Sequence, residues 1–171
     1  MSPTPRVIVS RCLEFAACRW NGVMIPDELV RRLAPHVTFV PVCPEMEIGL
    51  GVPRDPVRVV RNGGTLRLCH PSTERDLSDK MRRFAGRFLD EAGTIHAAIL
   101  KRRSPSCALT DADYFDDPGS ETPSGKGPGL FTKTLLERFP GIPVEDERRL
   151  MDRAARAAFF ARLPIVIREI L

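Results

Sequence analysis

Three short apolar runs each lead into a cysteine, and the other elements can be placed around them. Val7-Ile8-Val9-Ser10-Arg11-Cys12 climbs through β-branched residues to a thiol. Phe39-Val40-Pro41-Val42-Cys43-Pro44-Glu45 ends in a cysteine, a proline and a carboxylate, and Ala97-Ala98-Ile99-Leu100 leads past Lys101 to Ser104-Pro105-Ser106-Cys107. Runs of this length and composition suit buried strands. Between the first two, Pro26 opens a short helix with Asp27 and Glu28 in its first turn and Leu29, Val30 and Leu33 on one side, until Pro35 ends it. Strand, helix and strand form a βαβ unit with parallel strands and a right-handed crossover.

Further along, Val57 to Val60 and Thr65 to Cys69 flank Asn62-Gly63-Gly64, which predicts an antiparallel hairpin. Asp76 to Ala92 has the clearest helical spacing, with Leu77, Met81, Phe84, Phe88 and Leu89 on one stripe and Gly93 as its stop. The third strand runs from about Ile95 to Leu100. Thr110 to Gly129, with four aspartates and three prolines, predicts a long surface loop or lid. Gly125-Lys126-Gly127-Pro128-Gly129 leads into a helix whose first amides are expected to be open to an anion. It is not a Walker A sequence, because Gly127 follows Lys126 where Ser or Thr is required.

Ile142-Pro143-Val144 predicts a short strand, and Glu145 to Arg162 a helix with Leu150, Ala154, Ala158 and Phe159 inward. The tail Ile165 to Leu171 is apolar enough to pack on the body, a partner or a further domain. The expected fold is α/β: a compact, mainly parallel sheet flanked by helices, with a small β-hairpin and a C-terminal helical segment, as one domain over 171 residues.

Composition narrows the chemistry. No apolar run approaches the roughly 20 residues that cross a bilayer, and the amino terminus lacks a signal-type segment, so a cytoplasmic protein without a membrane partner is expected. Five cysteines in a reducing compartment, an odd number, read as metal ligands or reactive thiols. No Cys-x-x-Cys pair writes a zinc ribbon or a thioredoxin-type motif. The formal charge of +4 is compatible with an anionic ligand or nucleic acid.

If the three apolar runs lie side by side and parallel, Cys12, Cys43 and Cys107 meet at the carboxyl ends of the strands, where open α/β sheets build their sites. A single free cysteine packs as a small hydrophobe, but three in the same place in three strand-then-loop units point to a site. Three thiolates suit zinc with a water, or an iron-sulfur cluster whose fourth iron lacks a protein ligand. Glu45, two residues past a candidate ligand, can move protons, and Ser104 or Ser106 can hydrogen-bond a substrate. Arg19, Arg54 and Lys101 are candidates for contacting a phosphate, with solvated loop charges as the alternative. Cys69 and the single His36, His70 and His96 read as packing or surface residues.

Ser10-x-Cys12, Cys18-Arg19-Trp20-Asn21-Gly22, Pro41-Val42-Cys43-Pro44-Glu45, Gly51-Val52-Pro53-Arg54-Asp55-Pro56 and Leu100-Lys101-x-x-Ser104-Pro105-Ser106-Cys107 together resemble the thiouracil desulfurase family. The similarity continues through Gly129-Leu130-Phe131 and Pro143-Val144-Glu145-Asp146-Glu147. It implies a 4Fe-4S cluster on Cys12, Cys43 and Cys107 that removes sulfur from a thiolated uracil as hydrosulfide without net redox change. Glu45 matches the family's acid/base and Ser104 is taken as its catalytic partner, with Ser106, Lys101, Arg54 and Arg19 as substrate contacts.

Ala108 and Arg148 stand where glycine is usual, and the family varies at Cys18, which is not assigned as a ligand. The stretch from Gly129 to Arg162 resembles longer members linked to 4-thiouridine in transfer RNA. Because the sequence stops where their second helical domain would begin, a free base, nucleoside or nucleotide is the expected substrate, tRNA is the alternative, and a monomer is expected. The competing classes are a zinc or cysteine hydrolase on the same thiols and a non-catalytic cluster carrier or RNA-binding module.

Overall fold

The computed structural model describes residues 4–164. In chain order the elements are β1 (Arg6–Ser10), α1 (Glu28–Leu33), β2 (Thr38–Val42), α2 (Pro44–Glu47), β3 (Arg58–Asn62), β4 (Thr65–Cys69), α3 (Ser78–Ala92) and β5 (Ala97–Leu100). There follow β6 (Ala112–Phe115), β7 (Gly125–Gly127), α4 (Leu130–Arg138), β8 (Val144–Asp146), a 3-10 turn (Arg149–Met151) and α5 (Arg153–Ala161). The apolar tail anticipated over 165–171 lies outside the described residues.

The main sheet has the order β2-β1-β5-β8, and every pair in it is parallel. Its central strands are buried on both faces, as parallel strands covered by helices must be. Val7, Val9, Ala97 and Ile99 pack with Val30 and Leu33 of α1 and Phe159 and Phe160 of α5. The alternate residues Ile8, Ala98 and Leu100 pack with Met81, Phe84 and Leu89 of α3 and Leu135 of α4. The period-two alternation therefore divides one sheet between two cores. Pro41 is tolerated because β2 is an edge strand, where a missing donor costs least.

The anticipated hairpin is present as β3–β4, but Asn62, read as part of the turn, closes β3 opposite Thr65. It belongs to a second four-stranded sheet, β4-β3-β6-β7, and this corrects the reading of Thr110 to Gly129 as a loop or lid. β6 pairs parallel to β3 and antiparallel to β7. Ala112 and Tyr114 are buried while Asp113 meets Lys126 across the strands at 2.6 Å on the exposed side. The stretch looks polar because the buried face of each strand is supplied by so few residues. Gly127 is required here: a Cβ would stand 2.4 Å from the Tyr114 hydroxyl oxygen.

Two further expectations are revised. The segment from Glu145 to Arg162 is not one helix, since β8 and the 3-10 turn occupy its start. Asp146 Oδ1 accepts from the amides of Arg148 and Arg149 at 2.9 and 2.8 Å, and Asp152 Oδ1 caps α5 by accepting from Ala155 at 2.8 Å. Leu150 and Phe159 are buried as anticipated, but Ala154 and Ala158 are exposed and Phe160 takes the inward place. The start of α4 is not open to an anion either. Gly129 N donates to Ala108 O at 2.9 Å, Leu130 N to Pro105 O at 3.1 Å and Thr132 N to Ser106 O at 3.2 Å. Those orphan amides bolt the Cys107 loop onto the helix.

That bolt leaves no room at Gly129, where a Cβ would lie 2.3 Å from Ser106 C and 2.4 Å from Ser106 O. Gly129→Ala is expected to destabilise the protein by about 1–3 kcal/mol, the usual cost of overpacking. Urea unfolding reads the loss, and an unchanged midpoint would show that the loop yields freely.

Candidate active site

The parallel register brings the carboxyl ends of β2, β1 and β5 to one edge of the sheet. Cys12 follows β1 by two residues, Cys43 directly follows β2 as the residue before α2, and Cys107 sits on the bolted loop after β5. All three are buried and all three line a single cavity of about 740 Å³. The six other residues singled out from the sequence, Glu45, Ser104, Ser106, Lys101, Arg54 and Arg19, also line it.

Burial sets the thiols against ionisation. Cys12 is pushed up to about 12, first by burial and then by the neighbouring Cys43. Cys107 is also raised by burial, partly offset by a hydrogen bond from the Ser10 hydroxyl. Cys43 goes the other way, to about 7, chiefly because the Cys18 thiol hydrogen-bonds to it, with the Met46 amide adding to the effect; Cys18 is raised in return. The three ligand candidates thus act on one another electrostatically across the cavity. No histidine is among the lining residues, and the three ligand candidates offer soft sulfur donors. Among the described residues no group of three or more His, Cys, Asp or Glu side chains is arranged to hold a single metal ion.

A buried carboxylate completes the site. Glu45 is 7% exposed and lies on the first turn of α2. Arg54 Nε donates to Glu45 Oε2 at 2.8 Å, Nη2 pairs with the same oxygen at 2.8 Å, and Ser106 Oγ donates to Oε1 at 3.0 Å. The same guanidinium donates from Nη1 to Gly51 O at 2.8 Å and from Nη2 to Cys18 O at 3.0 Å. Its hydrogen-bonding fork is spent on the protein. Lys101 is similarly engaged, pairing with Glu147 and donating to Arg102 O at 3.0 Å. Ser104 Oγ accepts from the amides of Ser106 and Cys107 at 3.2 and 3.0 Å, which leaves its own proton to give. Arg19 makes no ion pair among the described residues.

A model of the 2-thiouracil desulfurase family matches residues 7–147. The chain belongs to that family. The match spans all three cysteines, Glu45 and both serines, and membership assigns the protein to enzymatic carbon–sulfur bond cleavage. It is 33% identical over 109 residues to the uncharacterized protein YbbK of Bacillus subtilis (strain 168), an alignment covering 59% of this chain and 72% of the relative. Its fold is similar to that of a solved 4Fe-4S-dependent thiouracil desulfidase, TudS, with a TM-score of 0.65 and 27% identity over 90% of this chain and 98% of the other. Among the described residues no helix is long and apolar enough to cross a membrane.

Two residues of this desulfurase escaped the reading of the sequence as site residues. Ser10, 1% exposed, accepts from Lys101 N at 2.8 Å while touching Cys107, so it joins the ends of β1 and β5. Its signal was its place at a strand end, two residues before Cys12. Cys18, 4% exposed, reaches Cys43 from a loop whose path no local pattern reveals.

The Arg54–Glu45 pair is almost fully enclosed, with side chains 6% and 9% exposed. Arg54→Met is expected to cost about 3–5 kcal/mol in urea unfolding because it strands a buried charge, and Arg54→Met with Glu45→Gln to recover much of the loss. Equal stabilities for wild type and single variant would rule the pair out as a structural clamp. For the thiols, alkylation of cluster-free, folded protein is expected to modify Cys43 first, at a rate that rises as pH passes about 7, whereas Cys12 requires pH near 12. The sign follows from the thiolate being the nucleophile; mass spectrometry that finds Cys12 labelled first would contradict it.

Proposed function

We propose that this chain removes sulfur from a thiolated uracil, as base, nucleoside or nucleotide, and that Cys12, Cys43 and Cys107 hold a 4Fe-4S cluster for that purpose. The observation that carries the reading is the meeting of three thiols and one buried carboxylate in a single cavity at the carboxyl edge of adjacent parallel strands. An all-sulfur donor set fits an iron-sulfur group better than a hard cation, and the similar solved structure is that of a 4Fe-4S-dependent thiouracil desulfidase. When bound through three thiolates, such a cluster supplies an iron without a protein ligand, a Lewis acid with affinity for sulfur.

The chain's own residues account for the proton work. Overall, the oxygen of water replaces sulfur on the ring carbon and sulfur leaves as hydrosulfide, so both protons of the water change place. Glu45 is the buried carboxyl group at hand. Its Oε2 is held by Arg54 and, among the described residues, its Oε1 accepts from Ser106 alone, so Oε1 is the atom that takes and returns protons. Ser104, with both its accepting positions used by amides, directs its hydroxyl proton to the substrate. Ser106 and Arg54 act on Glu45 and not on the substrate, and Lys101 steadies the strand end through Glu147. Arg19, on the cavity wall without an ion-pair partner among the described residues, suits a phosphate and so favours a nucleotide over the free base.

Anaerobic purification is expected to give about four iron and four acid-labile sulfide per chain, lost in Cys43→Ala. Glu45→Gln is expected to keep that content and lose about 100-fold or more in turnover of thiolated uracils. Zinc without sulfide, or full turnover in Glu45→Gln, would overturn the reading. The same assay with a 4-thiouridine-bearing tRNA separates that substrate from the small ones.

A further inference from the structure

Two aromatic side chains, Trp20 and Phe115, line the cavity that holds Glu45 and the three thiols. They are not equivalent. The Arg58 guanidinium lies 4.5 Å from the centre of the Phe115 ring, so that face is already covered. Arg58 in turn is anchored by donating to Pro118 O at 3.2 Å and Ser120 O at 2.6 Å. Trp20 makes no ring contact with another aromatic among the described residues and is 44% exposed. An indole left half open at the cavity wall is an incomplete contact.

The backbone beneath that indole is fixed. Arg54 N donates to Trp20 O at 2.9 Å, while the Arg54 side chain holds both Cys18 O and Glu45 Oε2. Gly22 N donates to Arg19 O at 2.8 Å and closes the turn, with Gly22 at φ +74°. One arginine therefore sets the positions of the tryptophan and of the carboxylate together. A flat conjugated ring lying on Trp20 would be registered against Glu45 without a hydrogen bond of its own to either.

Resting on the desulfurase reading above, we infer that Trp20 is the stacking platform for the pyrimidine ring, so that the site selects planar, conjugated rings over saturated or acyclic thiocarbonyl compounds. Stacking of a base on an aromatic side chain does not depend on which ring atom carries the sulfur. Selection of the ring and of the reacting carbon are then separate tasks, one given to Trp20 and the other to the cavity floor.

Trp20 is the single tryptophan of the chain, so its emission reports on its own surroundings. Uracil added to the cluster-bearing wild type is expected to quench that emission saturably, and dihydrouracil, which keeps the carbonyl and amide groups but loses the flat ring, to bind about tenfold more weakly. In turnover of a thiolated uracil, Trp20→Ala is expected to raise KM about tenfold with kcat little changed, and Trp20→Phe to restore most of the KM. The preference for uracil over dihydrouracil as inhibitor should vanish in Trp20→Ala and return in Trp20→Phe.

Emission that ignores uracil, or an unchanged inhibitor preference in Trp20→Ala, would overturn the platform. A fall in kcat with KM unchanged would also do so, since it would make Trp20 a structural residue. If uracil quenches the wild type but no thiolated uracil is turned over, the platform stands and the desulfurase reading fails. If turnover is normal and quenching is absent, the reverse holds.

Discussion

Parallel pairing is the constraint on which the site depends. Strands β2, β1 and β5 are neighbours running the same way, so whatever follows each of them emerges at the same edge. Burial on both faces makes the register costly to change, because a slip of one residue would exchange Val7 and Val9 for Ile8 between two differently shaped cores. The cysteines inherit that rigidity. Cys43 comes directly off its strand, and Cys12 follows after a short turn. Cys107 is farther away in sequence and needs its own restraint, supplied by the start of α4 and by Thr132 Oγ1, which donates to Cys107 O at 2.7 Å.

A second layer of restraint is electrostatic. Glu45 is enclosed among thiols whose own ionisation burial opposes, and Arg54 is the cation within reach of it. The pair is not an isolated bridge. Arg54 gathers the carbonyls of Cys18 and Gly51, the amide link to Trp20 and both approaches to Glu45 Oε2. Loops from three parts of the chain thus share one guanidinium, whose planar fork suits several acceptors at once. Breaking it would loosen the buried carboxylate and the cavity wall in the same event. Lys101 with Glu147 does similar work on a smaller scale, tying the end of β5 to the stretch after β8.

The helix start at Gly129 illustrates how one motif can serve a different purpose from the one its composition suggests. A glycine-rich approach to a helix exposes amides, and exposed amides attract anions. Here they are claimed by the carbonyls of Pro105, Ser106 and Ala108. The glycine is needed because backbone approaches backbone, with no space for a side chain between them.

The sequence alone determined what depends on local pattern. The apolar runs marked β1, β2 and β5, the stripe from Met81 to Leu89 marked α3, and Asn62-Gly63-Gly64 marked the hairpin, because each is written in consecutive residues. That nine candidate residues would line one cavity was legible as well, since strand ends in an α/β sheet are where chemistry collects. Tertiary structure decided what depends on partners distant in the chain. β6 exists because β3 offers it an edge and β7 because β6 does, and no run of four residues could announce that. Arg54 holds Glu45 and Ser104 keeps its proton free because of groups brought beside them by folding. Charges and hydroxyls carry no periodicity, so their partners, and hence their roles, appear only when the loops are closed.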